Sequence, residues 1–212
     1  MHAGFPRFTN EINQVMQRGF KDDDVSRFFD QAGGRLLAKG MATLLKLGFG
    51  FVMRDSLLSE EQSQKALAFF NDNFVISDPD AEGGRKYYQG KFLIRTRKPD
   101  DDMNVWLKFC PEPEKLFEET ASGKELHPLA VVSTEALSEE EAERIEKDPD
   151  QVDLVIRFKD SQSIVGLLGR PDVDMVGLLL ENLVQMTGNV GHLFKIGAIA
   201  ANLEQALDLP KS

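Results

Sequence analysis

The stretch QVDLVIRFKDSQSIVGLLGRPDVDMVGLLLENLVQMTGNVGHLF, residues 151–194, decides how this chain is read. Its apolar residues fall at strand spacing, then helix spacing, then strand spacing, then helix spacing again. Val152, Leu154, Ile156 and Phe158 alternate with Asp153, Val155 and Arg157, which predicts a strand with one apolar face. Asp160 then stands where a helix cap is needed. The segment SQSIVGLLG follows it, with Ile164, Leu167 and Leu168 on one stripe and Gly169 as the stop. Arg170 and Pro171 turn the chain, and Asp172 caps a second short apolar helix that contains Met175 and Leu179. Residues 183–187 are extended, with Val184 and Met186 on one side. Thr187, Gly188 and Asn189 make a turn. The last helix then places Leu193, Ile196, Ala200 and Leu203 on one face, with Phe194 beside them.

The same grammar extends upstream. FVIS, KYYQGKFLIRTR and MNVWLKFC read as strands, since aromatic and β-branched residues alternate with polar ones. One face near Gly90 carries Tyr88, Phe92 and Ile94, and the other carries Lys91, Leu93, Arg95 and Arg97. Met103, Val105, Leu107 and Phe109 share a face in the next strand, with Trp106 and Lys108 opposite. One greasy face per strand marks an antiparallel sheet covered on one side. HPLAVVS reads as a further strand. Ser59 with Gln62, and Ser138 with Glu141, have the spacing of capping boxes. The second box opens a short acidic helix whose charges belong to a solvated face.

The N-terminal third is different. Between Gly40 and Met53 the only charge is Lys46. That run is too short and interrupted to span a bilayer, which takes about 20 apolar residues. It reads as a buried helix of a helical segment. The alternative is an interfacial helix in residues 35–54 whose Arg35, Lys39, Lys46 and Arg54 meet anionic headgroups. Residues 1–54 hold eight Lys/Arg and five acids, a surplus of three, so the rest of the chain carries −13 of the net −10. That balance argues against nucleic-acid binding. We place a helical extension at 1–70 and one α+β domain at 71–212.

Chemistry is hard to find. The lone Cys110 stands before Pro111 near Glu112 and Glu114, which oppose a thiolate. It can form no intramolecular disulfide, and with no secretory signal at the N-terminus the expected setting is the reducing cytoplasm. His2, His127 and His192 make no metal-type pair. GFGFVMRD contains G-x-G without the rest of a phosphate loop. Asp100, Asp101 and Asp102 belong to a hairpin loop, and Asp172 is a cap. No catalytic residue, metal or cofactor is expected.

The order of Asp160, the Leu167-Leu168-Gly169 step, the strand 184–186 and the Thr187-Gly188-Asn189 turn resembles the C-terminal half of the sterol carrier protein type 2 family of lipid-transfer domains. The match covers about residues 150–203. It departs where Asn182 stands in place of the family's usual Gly, and where 111–150 runs long. The resemblance implies a five-stranded mixed sheet with helices on one face. Between them it implies an apolar tunnel for a fatty acyl chain, sterol or isoprenoid, without catalysis. Placed to line it are Phe92, Ile94, Val105, Leu107, Leu154 and Ile156 from the strands. Leu168, Met175, Leu179, Met186, Leu193 and Phe194 join them from the later segments. The expected role is lipid binding and transport. The second expectation is an assembly module with its cavity filled by Met175, Leu179 and Phe194, forming a homodimer through its N-terminal helices.

Overall fold

The computed structural model describes residues 34–52, 60–98, 100–120, 123–168 and 181–206. Two helices come first. In α1 (Gly34–Val52), Leu37, Ala38, Met41 and Ala42 are buried while Arg35, Leu36 and Lys39 face out, the stripe expected of a helix laid on a sheet. In α2 (Glu60–Phe74), Ala66, Phe69, Phe70, Asn73 and Phe74 form the inner face. The Ser59 cap lies outside the described residues. A small antiparallel pair, β1 (Val75–Ser77) and β2 (Arg85–Tyr87), follows.

The main sheet contains β3 (Lys91–Thr96), β4 (Asn104–Phe109), β7 (Val132–Ala136), β8 (Leu154–Phe158) and β9 (Val184–Gly188). Its order is β7-β4-β3-β8-β9. Only β3 and β8 run parallel; the other neighbours are antiparallel. The α+β class with a five-stranded mixed sheet therefore stands. A hairpin of β5 (Phe117–Thr120) and β6 (Gly123–Leu126) is separate from it. The strand expected at HPLAVVS begins later. Residues Pro128–Val131 form a helical turn, α3, with Pro128 in its first turn, and β7 starts only at Val132.

Register fixes the faces. Phe92 pairs with Leu107 and Leu154, and Ile94 with Val105 and Ile156, so these six side chains share one face. That face carries two cores. The larger joins Phe92, Leu107, Phe109, Leu154, Ile156 and Val184 to Phe69, Phe70 and Phe74 of α2 and to Ile199 of α6 (Gly191–Ala206). The second joins Met103 and Val105 to Leu37, Ala38 and Met41 of α1 and to Ile164 of α5 (Ser161–Leu168). The boundary drawn near residue 70 thus falls inside α2, whose Phe69, Phe70 and Phe74 all enter one core.

The opposite face is not left to solvent. Leu93 pairs with Trp106 and Val155, and this row packs under Ala142 and Ile145 of α4 (Glu139–Glu146). The capping box is complete: Ser138 Oγ accepts from the Glu141 N–H, and Glu141 accepts from the Ser138 N–H. Glu139, Glu140, Glu141 and Glu143 of α4 face water, as expected, but Glu146 is largely covered and two of the eight residues are core. Arg95, 8% exposed, anchors the helix by pairing with Glu139 and Glu146, and Arg157 also pairs with Glu146.

The described parts of the quoted stretch, 151–168 and 181–194, fold nearly as their spacing predicts. Asp160 Oδ1 accepts from Ser163 N–H at 2.8 Å, capping α5. Asp101 supplies a second cap through Ser161 N–H at 2.7 Å, so the acidic loop docks on a helix end. Gly188 has φ +120°, and a Cβ there would lie 2.3 Å from the Asp153 carbonyl oxygen, so this turn requires glycine. Gly169 and Asp172 lie outside the described residues.

Candidate functional site

The six expected lining residues on β3, β4 and β8 are brought to one side of the sheet, but they fall in two cores rather than one space. Phe92, Leu107, Leu154 and Ile156 lie in the larger core, none more than 6% exposed. Aromatic rings fill the volume above them: Phe74 to Phe109 at 5.4 Å, Phe70 to Phe74 at 5.8 Å, and Phe92 to Phe109 at 5.8 Å between centroids. Val105 is buried in the second core, with Ile94 packed against it. Phe194, expected inside, projects to solvent and is 75% exposed. Its position, two residues from buried-side His192 and one from Leu193, puts it on the outer face of α6. Met175, Leu179 and the side chain of Leu168 lie outside the described residues.

Met186 and Leu193 behave differently from the rest. With Leu183 and Ile196 they pack against the larger core yet stay half-buried. The four mark a seam at the margin of the larger core, two of them in or beside β9 and two in α6, with the exposed Phe194 and the 51% exposed Val190 next to them in the chain. Ile196 already stands on the apolar stripe read from sequence. Leu183 carried no signal, because a leucine at a strand start looks the same whether its far side is covered or open.

Polar contacts set the seam's geometry. Tyr88 Oη lies 2.7 Å from His192 Nδ1, with the two rings stacked at 5.6 Å. Burial first, then the charge of Asp153, pushes the Tyr88 phenol above its ordinary value, so it stays protonated and available to donate. This contact between residues 104 apart pins the start of α6 to the segment between β2 and β3. Asn202 Nδ2 donates to Asn73 Oδ1 at 2.9 Å and ties α6 to α2 further along.

Two surface cavities lie elsewhere. A groove of about 890 Å³ runs past Gln89, Lys91, Trp106, Lys108 and Gln151 to Lys115 and His127. Its charges are largely answered within the protein: Lys115 pairs with Glu112, His127 Nε2 lies 3.2 Å from Glu118, and Lys91 Nζ donates to the Asp150 carbonyl. A smaller cavity of about 390 Å³ is lined by Arg97, Lys98, Lys159, Glu181, Asn182 and Leu183. Neither contains the expected tunnel residues.

Burial pushes the Cys110 thiol up to about 12, so it carries no thiolate near neutral pH. Among the described residues, no group of three or more His, Cys, Asp or Glu could hold a metal ion. No described helix is long and apolar enough to cross a membrane. No family model, no curated protein and no solved structure matches the chain.

Proposed function

We propose that this protein is a non-catalytic carrier or binding module for a hydrophobic or amphiphilic ligand, taken up at the seam between β9 and α6. One observation carries the reading. Leu183, Met186, Leu193 and Ile196 are contiguous with the larger core and still half open, beside a fully projecting Phe194. Solvent-facing apolar groups that continue a core are where further apolar surface gains most by joining. Each methylene buried there contributes about 0.8 kcal/mol, so a dozen-carbon chain offers roughly 10 kcal/mol gross before the costs of association. No precisely placed polar group is needed for affinity of that order. The packed rings above Phe92 and Leu154 shift the ligand from a tunnel through the sheet–helix layer to this margin.

The test is native mass spectrometry of protein purified from cells, with titration by a fluorescent fatty acid. Bound lipid is expected, with saturable uptake weakened about tenfold by Met186→Gln. Protein that carries no lipid and takes up no probe would sink the reading.

A second reading is supported by the filled interior: an assembly module of the same fold that uses its exposed apolar groups against another protein. Sedimentation that gives a dimer, lost in Phe194→Ser, would favour it over the carrier.

A further inference from the structure

We infer that the 390 Å³ cavity at the ends of β3 and β8 is an oxyanion site, binding a carboxylate or a phosphate group. The fold builds it from the one parallel pair in the sheet. Arg97 and Lys98 follow β3, and Lys159 follows β8. The parallel register sets these ends side by side, with Arg97 N–H donating to the Phe158 carbonyl at 2.8 Å. Lys159 N–H donates to the Leu183 carbonyl at 2.8 Å, which brings the start of β9 to the same place.

The cations there have room to act. The Arg97 guanidinium grips Asn182 by one edge, through Nη1 to Oδ1 at 3.3 Å and Nη2 to the backbone oxygen. That grip holds Asn182 at φ +56°, a left-handed conformation uncommon outside glycine. A further donor, Arg97 Nε, is buried with no hydrogen-bond partner among the described residues. A buried donor left unpaired costs stability, and an accepting oxyanion or ordered water is what completes such a group. Lys98 and Lys159 are exposed and make no ion pair among the described residues. Asp160 feels both, but its carboxylate is already engaged by the Ser163 N–H and hydroxyl. Glu181 is the one acid in the lining among the described residues, against Arg97, Lys98 and Lys159, so the described lining is cationic on a chain of net charge −10. Such a local reversal of sign concentrates anions from solution.

Leu183 connects this cavity to the seam, since it lines the first and packs on the core beside the second. An amphiphile with its chain on the seam would set its headgroup here. That part rests on the carrier reading; the oxyanion site does not. A free phosphate is the other source of the same chemistry.

The experiment titrates the full chain with inorganic phosphate by amide NMR. In parallel, dodecanoate and dodecanol compete against a fluorescent fatty-acid probe. Expected are saturable shifts at Lys98, Lys159 and Asn182. Lys98→Gln with Lys159→Gln should weaken phosphate about tenfold, and Glu181→Gln should tighten it about threefold. Opposite signs from two exposed substitutions separate a charge effect from a folding defect. A preference for dodecanoate over dodecanol that vanishes in the double lysine variant identifies a headgroup as the source. Phosphate binding that dodecanoate leaves unchanged identifies a free anion. If neither dodecanoate nor dodecanol binds while phosphate still does, the carrier reading fails and the oxyanion site stands. No saturable shift at these amides, with no dependence on Lys98, Lys159 or Glu181, overturns the site.

Discussion

Phe92 and Phe194 look alike in the sequence, each a phenylalanine on an apolar stripe, yet one is fully buried and the other 75% exposed. Phe92→Ala should lower unfolding free energy by about 3–5 kcal/mol, because it removes a ring from a close-packed aromatic set. Phe194→Ser should leave stability within about 0.5 kcal/mol while weakening ligand uptake. Urea denaturation of both variants checks the contrast, and equal losses would contradict it. Cys110 gives a second test. With its thiol raised to about 12 by burial, it should react with a thiol reagent only as fast as the chain opens. Labelling as rapid in native protein as in urea would refute its enclosure. Burial of one particular ring is a property of neighbours remote in sequence, which is why periodicity placed both phenylalanines inside.

At the scale of elements, α4 shows what spacing conveys and what it leaves out. The Ser138 to Glu141 box was legible, because both halves lie within four residues. The partner of the helix was not, because Arg95 meets Glu139 and Glu146 across 44 and 51 residues. Glu146→Ala strips one carboxylate from both Arg95 and Arg157 and should cost about 3 kcal/mol in denaturant unfolding, since it leaves buried cationic charge under-paired. The box itself has a pH signature. The Ser138 N–H and then its hydroxyl hold Glu141 below its ordinary 4.5. A carboxyl depressed in the folded state stabilises above its unfolded value and loses that contribution as pH falls through the folded one. The stability gap between Glu141→Ala and the parent should therefore be fully present near neutrality and close on acidification below about pH 4.5. A gap that widens in acid would reverse the assignment.

At the scale of the molecule, the order of elements was largely legible. Strand, capped helix, strand, glycine turn and helix across 151–194 are local patterns, and local hydrogen bonds and turns enforce them: the Asp160 cap, the Gly188 turn and the alternation in β8. The sequence by itself thus determined the α+β class and the apolar face of each strand. Three things were decided only by tertiary structure. The first is that α2 brings Phe69, Phe70 and Phe74 into the volume where a tunnel was expected. The second is that α4 covers part of the second face through Leu93 and Val155. The third is that Arg97, Lys98 and Lys159 meet at one cavity, because β3 and β8 lie parallel and pair Thr96 with Phe158, the ends of the two strands they follow, 62 positions apart in the chain. Periodicity records which side of an element is apolar. It does not record what fills the space opposite, since that depends on contacts between residues far apart along the chain.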